Sequence, residues 1–256
     1  VAGPKQRVLV FMPNHLKLTL LVSLCAFALP AIATDCVILL HGLARTTASM
    51  EKAAGAFAEQ GYAVVNIGYP SRDHRIEDLA PIAIERGLDA CPDEGKINFY
   101  THSLGGILVR FYLEHNEIDR LGRVVMVAPP NRGSQVVDNL KGMPGFEFLN
   151  GPAGAQLGTD ANSVPLSLGP VDYPVGVVAG TQTFNPILSQ FLPNPDDGKV
   201  SVESTKIDGI TDFIALPHSH PFIMKAPDTI SQAIAFIETG RFLHGEDAGA
   251  ESQQPD

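Results

Sequence analysis

Ile97-Asn98-Phe99-Tyr100-Thr101-His102-Ser103-Leu104-Gly105-Gly106-Ile107-Leu108 is the stretch on which the reading of this chain turns. Its first four residues form a short apolar and aromatic run bounded by sharp turns, the pattern of a buried strand. Leu104, Ile107, Leu108 and Phe111 then recur at helical spacing. Between strand and helix, Thr101-His102-Ser103-Leu104-Gly105 matches G-x-S-x-G except that Thr101 stands in the first glycine place. In such a bend the serine sits in a strained turn, its hydroxyl projects above the sheet, and small neighbours keep strand and helix from colliding. Gly105 and Gly106 meet that need, and Thr101 meets it less well. A helix beginning at Ser103 also aims its positive end at the place where an oxyanion would form. Ser103 as a plain helix cap is the bland alternative; it leaves the paired glycines without a purpose.

Working outward, short apolar strands alternate with longer helical segments, which predicts an α/β fold: a mostly parallel six-stranded sheet flanked by helices in three α/β/α layers. The first strand is Cys36-Val37-Ile38-Leu39-Leu40, apolar throughout as a strand buried on both faces should be. Met50, Ala53, Ala54 and Phe57 mark a helix that Gly61 stops, and Ala63–Ile67 is the next strand. Ile76, Leu79, Ala80 and Ala83 suggest a second helix whose start is obscured by Pro81, since proline is expected only in a first turn. After the central stretch, Val124–Val127, Val175–Ala179 and Phe213–Leu216 complete the sheet, and Ile230, Ala233, Ile234 and Ile237 mark a final helix. Glycines and prolines break up residues 142–170, which reads as loop or cap and not as core. The cap region is placed at about 131–170 of a catalytic domain spanning 34–245.

A neutral serine hydroxyl needs a base, and the base an orienting carboxylate, expected in the order Ser, Asp, His. Pro195-Asp196-Asp197-Gly198-Lys199-Val200 follows the fifth strand and Pro217-His218-Ser219-His220 the sixth. Both loops lie at the sheet edge where ligands of open α/β folds gather. Asp197 is favoured over Asp196 because Gly198 permits the turn that would aim it; His220 is favoured over His218, which also reads as a surface loop residue. The His-x-His pair lacks a well-spaced third ligand, so no metal is assigned. For the oxyanion, one backbone N–H should come from Leu104, directly after the serine, and the other from Leu43, where His41-Gly42-Leu43 leaves the first strand in a turn whose glycine allows close backbone approach.

The ends read differently. Lys17, the apolar run from Leu18 to Ala33 and Ala31-Ile32-Ala33 make the three parts of a cleavable export signal over 1–33, with Met12 a candidate start; the run is short for a membrane span. Export would place the domain in a secreted or periplasmic setting. Residues 246–256 are acidic and polar and predict a disordered tail. The whole chain has 256 residues and a formal charge of −10; removing 1–33 leaves 15 basic against 28 acidic residues, or −13. An acidic surface without a basic stripe argues against nucleic-acid partners. In an oxidising compartment Cys36 and Cys91 could pair, the alternative being two unrelated buried thiols.

These residues together resemble the α/β-hydrolase superfamily, in particular its small bacterial lipases and esterases. The resemblance rests on His41-Gly42, His102-Ser103-Leu104-Gly105-Gly106, Ala128-Pro129-Pro130-Asn131-Arg132-Gly133-Ser134, Asp197-Gly198-Lys199-Val200 and Ser219-His220. It implies a compact six-stranded core without extra leading antiparallel strands, nucleophile Ser103, acid Asp197, base His220, and oxyanion donors Leu43 and Leu104. His41, Gly42, His102 and Gly105 are expected to support them. The expected activity is ester hydrolysis through an acyl-enzyme, with an ester or lipid small-molecule substrate, no cofactor and no stable membrane insertion. Thioesterase, amidase or a noncatalytic binding protein on the same fold are the alternatives. Phe146, Phe148, Leu149, Phe184, Ile187, Leu188, Phe191 and Leu192 are candidates to line an acyl-chain pocket or simply the core. Oligomeric state is not legible.

Overall fold

The structure, a computed structural model, describes Gly3 and residues 34–245. The export signal expected over 1–33 and the tail expected over 246–256 lie outside the described residues. The six strands are β1 (Cys36–Leu40), β2 (Ala63–Ile67), β3 (Ile97–His102), β4 (Leu121–Val127), β5 (Val175–Gly180) and β6 (Asp212–Leu216). They form one sheet in the order β2-β1-β3-β4-β5-β6, every pair parallel. Parallel strands need helical crossovers, and those cover both faces of the sheet.

β1 shows why. Ile38 and Leu40 point into one core and Val37 and Leu39 into another, all fully buried. Facing the first core are α2 (Ile76–Ala90) and α3 (Leu104–His115), through Ile76, Leu79, Ile107 and Leu108. Facing the second are α1 (Glu51–Glu59), which continues a 3₁₀ turn over Thr47–Met50, and α9 (Pro227–Thr239), through Phe57, Phe236 and Ile237. Burying one such side chain typically contributes about 1.5–3 kcal/mol, so an unbroken apolar β1 can only sit in the middle of the sheet.

Pro81 lies inside α2, beyond its first turn. It cannot pair the Glu77 carbonyl, but Glu77 is exposed and water can take that place. The helix start is fixed from afar: Ile76 N–H donates to Gln156 Oε1 at 2.8 Å, while Gln156 Nε2 donates to the Glu77 carboxylate at 2.8 Å.

Residues 142–170 depart from the expected loop outside the core. With the residues just before them they carry α4 (Gln135–Leu140), α5 (Phe146–Ala155) and α6 (Val164–Ser167). Ala153, Leu157 and Val164 join the core on the α2/α3 side. Gly151, at φ 64°, breaks α5 where an added Cβ would lie against the Arg72 carbonyl, which is why the helical pattern is interrupted there. Two further short helices, α7 (Pro186–Ser189) and α8 (Val202–Thr205), flank the acid loop.

The strand register is level at its C-terminal edge: Leu40 pairs with Thr101, His102 with Val127, and Gly180 with Leu216. The chain leaves β1 toward β2 and returns across it to β3, so the crevice between β1 and β3 is the topological switch point where open α/β sheets take ligands.

Candidate active site

Ser103 occupies that crevice. It has φ 52° and ψ −117°, a conformation that L residues adopt only under constraint, between the end of β3 and the first turn of α3. The constraint comes from close packing. A Cβ on Gly105 would lie 2.6 Å from the Leu40 carbonyl oxygen, and one on Gly42 would lie 2.7 Å from His102 Nδ1 and 3.3 Å from the Ser103 Cβ. Thr101 fits in the first glycine place because its buried hydroxyl donates to the Val125 carbonyl at 3.1 Å.

Ser103 Oγ is 3.1 Å from His220 Nε2, and His220 Nδ1 is 2.7 Å from Asp197 Oδ2. With Nδ1–H donating to the carboxylate, Nε2 carries the lone pair that faces the serine hydroxyl. Asp197 is buried, its other oxygen accepts the backbone N–H groups of Lys199 at 2.9 Å and Val200 at 2.8 Å, and its carbonyl accepts from His220 N–H at 2.9 Å. Gly198, at φ 92°, makes that turn. The neighbouring Asp196 faces away, held by Ser189 Oγ at 2.6 Å and Gly198 N–H at 2.7 Å. His218 is also elsewhere, its Nε2 paired with Asp228 at 2.7 Å. Of the alternatives left open by the sequence, Asp197 and His220 are the pair beside Ser103.

His102 is buried, and its Nε2–H donates to the His220 carbonyl at 3.0 Å. Burial pushes the His102 imidazole well below the usual histidine range; the His220 charge adds to this, while the hydrogen bond opposes it. His41 does not reach the serine. It stacks on Tyr69 with ring centroids 4.1 Å apart, donates from Nδ1 to the Gly42 carbonyl at 2.8 Å, and receives the Tyr69 N–H at Nε2. The Tyr69 hydroxyl donates to the His41 carbonyl. His41 therefore fixes the turn that carries Gly42 and Leu43. Burial draws its pKa down, the bond to Gly42 acting in the other direction.

Some supporting residues were not singled out from the sequence. A Cβ on Gly180 would meet the His218 carbonyl at 2.5 Å and the Asp197 Cβ at 2.7 Å, so this last residue of β5 lets the acid loop lie against the histidine loop. The Ala128–Ser134 segment braces the acid loop: Asn131 Nδ2 donates to the Thr205 carbonyl at 2.8 Å, Arg132 N–H to the Ser204 carbonyl at 2.8 Å, and Ser134 Oγ to the Lys199 carbonyl at 2.6 Å. Buried Arg110 holds that segment in turn, donating to the Asn131 carbonyl at 3.0 Å. These contacts join positions far apart in sequence, and no local pattern signals them.

A cavity of about 320 Å³ opens over Ser103 and His220. Its apolar wall is Leu43, Val136, Val137, Leu140, Phe146, Leu157 and Val200. Of the aromatic and aliphatic residues expected near an acyl pocket, only Phe146 lines it; Phe148, Leu149, Phe184 and Ile187 are exposed at 85%, 59%, 66% and 69%, and Leu192 is buried elsewhere. Among the described residues, no group of three His, Cys, Asp or Glu is placed to hold a metal ion, and no helix is long and apolar enough to cross a membrane.

No protein-family model matches the chain, and neither does any curated protein. Solved structures do. The mature form of the Bacillus licheniformis lipase BlEst2 superposes with a TM-score of 0.61 at 18% identity, covering 82% of this chain and 94% of that one. The metagenomic carboxyl esterase MGS0156 superposes with a TM-score of 0.60 at 18% identity, over 80% of this chain and 76% of its own. An extracellular α/β-hydrolase from a Paenibacillus species gives 0.53 at 14% identity, over 80% and 98%. At such identities the likeness is one of fold, and with the parallel six-stranded sheet it shows that this chain has the α/β-hydrolase fold.

Proposed function

We propose that the protein is a serine hydrolase that cleaves carboxylic esters, with Ser103 as nucleophile, His220 as base and Asp197 as the carboxylate that orients it. The observation that carries this reading is the unbroken chain Ser103 Oγ, His220 Nε2, His220 Nδ1, Asp197 Oδ2, with links of 3.1 Å and 2.7 Å, opening into a cavity. Ser103 Oγ attacks the ester carbonyl carbon as its proton passes to His220 Nε2. The C–O bond breaks and the alcohol leaves with that proton. A water, deprotonated by His220, then attacks the acyl carbon, releasing the acid and restoring the serine hydroxyl.

The oxyanion of each tetrahedral intermediate would be held by the N–H groups of Leu43 and Leu104. Among the described residues neither N–H donates to a protein acceptor, which leaves both for the oxyanion. Removing one such donor typically costs about 10²–10³ in rate. Asp197 stabilises the imidazolium without taking its proton.

The same reading assigns one catalytic domain to 34–245 and an export signal to 1–33. The Cys36–Cys91 bond supports an exported setting, because disulfides persist in oxidising compartments.

A fluorophosphonate probe should label the protein at Ser103 and p-nitrophenyl esters should be hydrolysed, with both lost in Ser103→Ala. Undiminished labelling in that variant would refute the assignment.

A further inference from the structure

Arg45 and Lys199 line the cavity that holds Ser103 and His220, and among the described residues no aspartate or glutamate lines it. Arg45 stands two residues after Leu43 and Lys199 two after Asp197, so each cation rides on a segment that the proposed chemistry already fixes. The Lys199 backbone is pinned on both sides, its N–H on Asp197 Oδ1 at 2.9 Å and its carbonyl under Ser134 Oγ at 2.6 Å. Among the described residues neither side chain forms an ion pair. In a chain of formal charge −10, two cations share one cavity and no carboxylate lines it. Arg45 also borders the adjoining surface depression, which Lys225 lines, so the positive rim extends outward.

The ordinary reading of a surface lysine and arginine is that water solvates them. Here Lys199 is exposed toward the open cavity, yet the surrounding protein withdraws its ammonium from bulk water. That desolvation, with the Arg45 charge, draws its pKa below the usual lysine range, and Asp197 only partly opposes it. Such a pair gains most from an anion that enters the cavity. The rest of the cavity is different in kind: Val136, Leu140, Phe146 and Leu157 offer an apolar surface suited to an acyl chain.

Resting on the ester-hydrolase reading above, we propose that the substrates are esters of an apolar acid whose alcohol portion carries an anion, a carboxylate or a phosphate, held by Arg45 and Lys199. The apolar wall takes the acyl chain, and the two cations take the group that leaves with the alcohol.

Two matched pairs of substrates test this: the butanoyl ester of 4-hydroxybenzoate against that of 4-hydroxybenzamide, and 1-butanoylglycerol 3-phosphate against 1-butanoylglycerol. The quantity read is the ratio of kcat/KM for the anionic over the neutral member. Its change between proteins cancels the intrinsic reactivity of each leaving group. Arg45→Gln/Lys199→Gln should lower that ratio about tenfold or more in one pair at least, and the responding pair distinguishes carboxylate from phosphate. In the unaltered protein, raising salt from about 0.05 M to about 0.5 M should lower the same ratio, which needs no variant to fold. Arg45→Glu/Lys199→Glu should turn the preference toward butanoylcholine. Neutral esters hydrolysed with a ratio that neither salt nor the double variant moves would overturn the proposal while leaving the hydrolase reading intact. If no ester is cleaved and fluorophosphonate does not label Ser103, the hydrolase reading falls and this proposal with it.

Discussion

His102 Nε2–H donates to the carbonyl oxygen of His220 across 3.0 Å, so the residue before the serine in sequence holds the backbone of the histidine that faces it in space. The two rings are 4.8 Å apart between centroids. His102 is thus a positioning residue, acting through His220. Removing its donor in His102→Ala should lower kcat by about 10- to 100-fold, the scale of a small misplacement of a reacting group, with a smaller effect on KM. His102→Gln, whose amide can donate from the same distance along the side chain, should recover part of the loss. Equal kcat in the alanine variant and the unaltered protein would remove His102 from the machinery.

The same burial predicts how stability depends on pH. His102 and His41 both have pKa values lowered in the folded protein, in each case first by loss of water. Their folded pKa lies below the unfolded one, so as pH falls through about 6.5 the unfolded chain takes up the protons first. The stability contributed by keeping these rings neutral is therefore present above that pH and lost below it, by up to about 1.4 kcal/mol per pH unit for each ring. Urea unfolding at pH 7.5 and pH 5.5 should show the drop, and His102→Gln should show a smaller one. Glu77 and Asp212 have lowered carboxyl pKa values and lose their contribution only at more acid pH, outside that window. A drop of the same size in His102→Gln would mean that His102 contributes nothing to the acid sensitivity.

Asp196 and Asp197 are adjacent and do opposite work. Asp197 reaches His220, whereas Asp196 ties Ser189 to the Gly198 turn. Asp197→Asn should lower kcat by about 10³–10⁴ and slow fluorophosphonate labelling in proportion. Asp196→Asn should instead cost about 1–3 kcal/mol of stability and retain most of the labelling rate. The reverse ranking would show that the acid had been misassigned between the two.

The central elements were legible because their signals are local. β1 is apolar at every position, which only a strand covered on both faces tolerates, and Ser103 sits between a strand and a helix with glycines where space is short. What stayed hidden depends on distant partners. α2 starts before Pro81 because Gln156, eighty positions away, receives its first N–H. α5 escaped notice because Gly151 and Pro152 interrupt its period, although Ala153 and Leu157 are core. Phe184 and Ile187 were placed near an acyl pocket on apolarity alone, and the fold turns them to the surface. Arg45 and Lys199 meet in one cavity only because the loops after β1 and β5 end at the same edge, a relationship that no spacing in the chain records.

Cys36 begins β1 and Cys91 caps the end of α2, and their sulfurs are bonded across a sequence separation of 55. Closing a loop of that length restricts the unfolded chain and should stabilise the fold by about 4 kcal/mol on the chain-entropy account. The joined segments are already packed, since Cys36 is fully buried at the start of a central strand and Cys91 is nearly so. The bond therefore acts mainly on the unfolded state and leaves the opposite edge of the sheet, where Ser103 lies, undisturbed. Cys36→Ala/Cys91→Ala should unfold at markedly lower urea concentration than the unaltered protein, while its labelling by fluorophosphonate below the transition stays within about threefold, since a remote site usually adds independently. Free-thiol titration of the unreduced, urea-unfolded protein should find neither of these two cysteines reactive. Two reactive thiols there, with no loss of stability in the double variant, would show that the pair does not form.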